Sequence, residues 1–141
     1  MTAIVDRTYP RQLHPFHAIL LAGTIPLFLG ATLSDVAYAS SYQVQWVNFA
    51  SWLIAGGLLF GGLALLCALI GLFRADHGGR RPAYVLLLVV IFVLGFINAL
   101  VHAKDAWASM PTGLVLSGIV TVMAIAATWI GFSAFQTRGE R

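Results

Sequence analysis

The chain has 141 residues, of which 60% are hydrophobic and only 9% are Asp, Glu, Lys or Arg. A soluble domain has about a quarter of its residues charged, so this composition excludes an ordinary water-soluble fold and points to lipid as the solvent. The formal net charge of +3 does not make a nucleic-acid binder, because the eight basic residues are scattered over short segments and form no patch. Cys67, the single cysteine, lies in an uninterrupted apolar run, which excludes disulfide frameworks, CxxC redox chemistry and thiolate clusters.

A hydrocarbon core about 30 Å thick needs about 20 largely apolar helical residues. Four stretches meet that requirement, at roughly 15–38, 46–73, 82–102 and 112–135. The first has Arg7 and Arg11 before it and Ala37-Tyr38-Ala39 near its end, which imitates a secretory signal. The apolar run is long for one, and Pro26 interrupts it. It is therefore read as a span, kinked at Pro26, where a backbone donor is lost and the Ala22 carbonyl is freed. The second stretch has no charge from Trp46 to Phe73, and Gly78-Gly79 separates it from the third. The third runs from Ala83 to Val101 with Asn98 as its one strongly polar residue; the fourth follows Pro111 and bears a stripe of Ser, Thr and Gly. Pro15 and Pro82 suit first helical turns.

Helices are the open-ended way to satisfy backbone groups in lipid. With connections of about ten residues, consecutive helices must be antiparallel neighbours. The expected fold is all-α: one integral membrane domain over residues 1–141, an antiparallel up-down-up-down four-helix bundle. Seven basic residues, Arg7, Arg11, Arg74, Arg80, Arg81, Arg138 and Arg141, fall on one side of such a bundle and only Lys104 on the other. The positive-inside rule then places both termini in the cytoplasm, in a bacterial inner membrane. Tyr38, Tyr42, Trp46, Trp52 and Trp107 gather toward the outer face as an aromatic belt. Asp35-Val-Ala-Tyr-Ala-Ser40 echoes Lys104-Asp105-Ala-Trp-Ala-Ser109, as a repeat of two helix pairs would.

Membrane helices associate through close backbone approach and polar contacts. Two small-residue stripes are therefore expected at interfaces: Gly57, Gly61, Ala64, Ala68 and Gly71 in the second span, and Gly113, Ser117, Thr121, Ala124, Thr128 and Gly131 in the fourth. Either could be a seam within the chain or a contact with a second copy or another subunit.

Ionisable side chains in a span are costly and are functional candidates by default. In the first helix His14, His17, Leu21, Thr24, Phe28, Ala31 and Asp35 recur at steps of three and four, so they share one stripe, expected to face inward. Asn98, His102 and Asp105 share a face in the same way. If the faces meet, Asp35, His102 and Asp105 form a carboxylate-imidazole-carboxylate group near the outer surface, able to bind a divalent ion, relay a proton or pair with Lys104. An ion pair in the wet headgroup zone is the plainer outcome. His14 and His17 are candidate cofactor ligands, although His14, just before Pro15, is equally placed to cap a helix. A bis-histidine haem needs both ligands at one depth. His14 and His102 stand near opposite surfaces, about 30 Å apart by helix length; His14 and His17 are too close in sequence, which leaves His77 as a partner. The spacing disfavours such a site and leaves the cofactor unknown.

Leu13-His14-Pro15, the mid-span Pro26, the acidic residue ending the first helix and His102-Ala-Lys-Asp105-Ala-Trp107 together resemble a widespread bacterial family of four-helix membrane proteins with no assigned function. The similarity runs from about 13 to 135. The resemblance implies an accessory component, since members are sometimes encoded beside or fused to periplasmic dehydrogenase or cytochrome c modules, although this chain has no CxxCH of its own. Three readings stay open: a non-catalytic accessory or scaffold subunit, an electron-transfer or quinone- or haem-interacting component, and a small transporter or proton pathway. The implied partners are the bilayer and other membrane subunits or further copies of the chain.

Overall fold

The computed structural model describes residues 14–74 and 81–136. Five helices occupy them: α1 (Pro15–Ser41), α2 (Val44–Phe73), α3 (Arg81–His102), the single turn α4 (Ala106–Ser109) and α5 (Thr112–Gln136). The four long helices each contain a window apolar enough to cross a membrane, as the composition requires. His77, Arg7, Arg11, Arg80, Arg138 and Arg141, which entered the topology and haem arguments, lie outside the described residues.

Helix α1 packs on α2 and α5, and α3 packs on the other sides of the same two helices. The four therefore form a ring in which each helix neighbours its sequence partners, the arrangement that short connections enforce. Expected and observed spans agree in number and order, but α1 runs to Ser41. The hydroxyls of Ser40 and Ser41 bond back to the Ala37 carbonyl at 3.0 and 2.6 Å. Tyr42, at φ 55°, then ends the helix in the left-handed region, with its N–H on the Tyr38 carbonyl at 2.7 Å. That cap makes the first connection far shorter than ten residues, since α2 begins at Val44. In α1 the helix passes through Pro26 without a break.

Leu21, Phe28, Leu88, Ile91, Val120, Ala124 and Ala127 form an apolar core at mid-bundle. Close approach of α1 and α2 depends on Gly57, where an added Cβ would stand 2.6 Å from Phe28 Cε1. Beside Phe28 a cavity of about 10 Å³, lined by Thr24, Gly57, Gly61 and Phe92, has room for one water-sized probe. The α5 stripe from Gly113 to Gly131 is buried throughout. In α2, Gly57 and Ala64 are buried and Ala68 packs on the core, while a Cβ added at Gly71 would meet nothing within 4 Å. Both stripes are thus seams within the chain over most of their length. The outward faces carry large apolar side chains, among them Phe49, Trp52, Leu59, Leu66 and Phe73 on α2.

Candidate functional site

Seen along α1, the stripe spaced at three and four faces the interior from His17 on, with His17, Leu21, Thr24, Phe28, Ala31 and Asp35 all buried, whereas His14, expected on the same stripe, is exposed because it lies just before the helix starts. Asp35 is fully buried, and its carboxylate meets groups from two other helices. His102 Nε2 lies 2.9 Å from Asp35 Oδ1. The Ser117 hydroxyl donates to Asp35 Oδ2 at 2.6 Å. Asn98 Nδ2 donates in turn to Ser117 Oγ at 2.9 Å. Asn98 and His102 reach one side of the group because they lie four residues apart on α3, and His102 Nδ1 is 3.0 Å from the Asn98 carbonyl. On α5, Gly113 and Ser117 are also four apart. The His102 ring rests on Gly113, where a Cβ would come within 2.8 Å of Cε1.

The hydrogen bonds fix a proton count. The Asn98 carbonyl only accepts, so Nδ1 of His102 bears a proton. Nε2 then faces a carboxylate oxygen across 2.9 Å, and that bond also needs one proton, held by nitrogen or by oxygen. Asp35 Oδ2 already accepts from Ser117. The pair is therefore imidazolium with carboxylate or imidazole with carboxylic acid, and both forms are neutral overall. A lone charge is very costly away from water, whereas this pairing removes the net charge. Asn98 Oδ1, in a side chain with no exposed surface, has no hydrogen-bond partner.

Two of the three residues expected at the outer group come together here, Asp35 and His102. Asp105 does not join them. Helix α3 ends at His102, so the three-residue step to Asp105 no longer keeps one face; Asp105 is exposed at the N-cap position of α4. Asn98 and Ser117 take its place. Among the described residues no group of three or more His, Cys, Asp or Glu is gathered as a metal site. The echo between the Asp35 and Asp105 segments likewise pairs a buried helical carboxylate with an exposed cap. Ser117 was visible in the sequence only as part of a packing stripe; a hydroxyl on such a stripe, level with an intramembrane acid, is the signal that marks it as a partner.

The other candidates lie at the far end of α1. His14 is exposed and its Nδ1 accepts from the Phe16 N–H at 3.3 Å, the capping role. His17 is buried, with Nε2 3.2 Å from the Tyr84 hydroxyl. Along the α1–α5 seam, Thr32 and Thr121 share a hydrogen bond of 2.8 Å, and the Thr128 hydroxyl bonds to the Ala124 carbonyl at 2.8 Å. Above Asp35, Tyr38 meets Tyr42 edge-on, and Tyr42 stacks on Trp107, each with ring centroids 6.2 Å apart.

No curated protein and no solved structure matches the chain. The family model described as "Predicted membrane protein (DUF2231)" matches residues 13–139, nearly the whole sequence. With four membrane-length apolar helices packed as one ring, the chain belongs to this family of membrane proteins of unknown function.

Proposed function

We propose that the protein is a non-catalytic subunit of the bacterial inner membrane, with both termini cytoplasmic, that docks its lipid-facing helices against a larger assembly, of redox type by the resemblance of the sequence. The filled interior supports this reading most directly. The cavity beside Phe28 measures only about 10 Å³, and large apolar side chains crowd the outward faces, so the outer surface is what the chain offers to other molecules. Both small-residue seams are largely used up inside the chain, which leaves large apolar side chains such as Trp52, Phe73 and Trp129 as the surface available to partners. Aromatic anchors are favoured at such contacts.

Extraction from its native membrane in mild detergent, followed by mass spectrometry of the intact complex, tests the proposal. A stoichiometric membrane partner that brings this chain down reciprocally is expected. A lone chain without partner under conditions that keep other complexes intact would contradict it. An absorption spectrum of the same sample tests the electron-transfer alternative, since a haem or flavin bound near His14, His17 or His102 would show a visible band. The proton-pathway alternative has the Asp35–His102 pair in its favour, but the apolar core from Leu21 to Ala127 separates that pair from His17 and Tyr84.

A further inference from the structure

We propose that Asp35 and His102, completed by Ser117, Asn98 and an internal water, form a binding site for one exchangeable proton that communicates with water at the His102 end of the bundle only. The site is built from three helices, and each contributes a group that cannot be replaced by its neighbours: the acid from α1, the imidazole and amide from α3, the hydroxyl from α5.

The geometry requires one proton between Nε2 and Oδ1, since both atoms otherwise present lone pairs to each other across 2.9 Å. Transfer within the pair breaks the N–H bond and forms an O–H bond, turning imidazolium and carboxylate into imidazole and carboxylic acid with no change in net charge. Release to water leaves the pair one proton and one positive charge poorer, and uptake from water restores it. The second observation is Asn98 Oδ1, a fully buried acceptor within the same cluster and without a donor. An orphaned buried acceptor is expensive, and a water with two or more polar partners is the usual remedy. A water bound to Asn98 Oδ1 is the carrier inferred for that proton.

The route out is set by the fold. His102 is the last residue of α3, and Ala103, Lys104 and Asp105 beyond it are exposed. In the other direction Phe28, Ile91, Val120 and Ala124 form the apolar core, and the seam hydroxyls beside it are each tied to a helix carbonyl, Thr24 to Leu21, Thr32 to Phe28, Thr121 to Ser117 and Thr128 to Ala124. The pair contacts the Asn98 carbonyl on α3 and the Ser117 hydroxyl on α5; the nearest titratable groups along the chain are the buried Tyr38, one turn on in α1, and the exposed Lys104 and Asp105 beyond His102. Helix α2 has no Asp, Glu, Lys, Arg or His between Val44 and Phe73.

The test uses the full chain, uniformly labelled with nitrogen-15 in lipid nanodiscs, transferred from light to heavy water and followed by NMR. The downfield resonance of the proton between His102 Nε2 and Asp35 Oδ1, whichever atom carries it, is expected to be lost before the amides of Ile91 and Val120 exchange measurably, with cross-relaxation from water to the Asn98 side-chain amide. Asp35→Asn keeps both hydrogen bonds, because its amide donates to Nε2 and its oxygen accepts from Ser117, but the amide has no acidic proton to pass to the ring or release to water. In that variant Nε2 is expected to turn into an unprotonated acceptor. His17→Phe, beyond the apolar core, is expected to leave the exchange unchanged. A shared proton as persistent as the core amides would overturn the site, because the pair is then a sealed structural contact. So would an Asp35→Asn spectrum that keeps the downfield resonance of the shared proton. Slower exchange in His17→Phe would overturn the one-ended route. The measurement on the parent chain stands even if a variant fails to fold.

Discussion

Gly113→Ala isolates the contact that lets His102 reach Asp35. The new Cβ would lie 2.8 Å from Cε1, 3.3 Å from Nε2 and 3.4 Å from Nδ1 of the ring. Carbon atoms pack best at about 3.5–4.0 Å, so the ring must retreat by about 0.7 Å or more. It is held at both nitrogens, by Asp35 at 2.9 Å and by the Asn98 carbonyl at 3.0 Å. Retreat therefore stretches a buried, charge-assisted bond, and staying put overpacks the interface. Overpacking costs about 1–3 kcal/mol, while Gly→Ala within a helix returns up to about 1 kcal/mol. The net expectation is a loss of about 1–2 kcal/mol. Gly118, five residues along the same helix, has nothing within 4 Å of the Cβ position. Gly118→Ala should therefore be neutral or stabilising by up to about 1 kcal/mol. Reversible unfolding in mixed detergent micelles measures both variants side by side. Equal stabilities for the two would refute the contact between α5 and the His102 ring.

Other substitutions probe the rest of the bundle. Gly57→Ala drives a Cβ to 2.6 Å from Phe28 Cε1 and should lower stability by about 1–3 kcal/mol in the same unfolding assay. Thr121→Val removes a hydroxyl shared between Thr32 at 2.8 Å and the Ser117 carbonyl at 2.8 Å; hydrogen bonds between membrane helices average about 0.6 kcal/mol, so the loss should be small and distinctly below that of Gly57→Ala. Orientation is read by labelling in a Cys67→Ala background. Ser40→Cys and Lys104→Cys should react with a membrane-impermeant maleimide in spheroplasts, and Arg138→Cys only after lysis; the reverse pattern contradicts cytoplasmic termini.

The spans and the inward stripe of α1 were legible in the sequence because lipid leaves the chain few choices. A charge-free run such as Trp46–Phe73 has to be a helix, and residues at steps of three and four, from His17 to Asp35, have to share a face. The pairing of Asp35 with His102 followed from placing polar residues at one depth. Asp105 does not join the group because its three-residue step runs past the end of the third span, which the sequence already bounds at 102 and where the chain does leave α3. Ser117 stands in the sequence as one small residue of a packing stripe, and only matching its depth to that of Asp35 would have named it as a partner. The tight α1–α2 connection depends on Tyr42 taking a left-handed conformation, which a tyrosine seldom adopts, and α4 is a single turn too short for any period to reveal.

A double-mutant cycle between Asp35 and His102, each replaced by alanine singly and together and followed by reversible unfolding in micelles, tests most directly that this buried pair ties α1 to α3. Residues in one hydrogen-bonded network couple by about 0.5–3 kcal/mol. The pair at 2.9 Å, with both side chains inaccessible to solvent, should give a double variant clearly less destabilised than the sum of the two single losses. Strictly additive losses would contradict the pairing on which the candidate site rests.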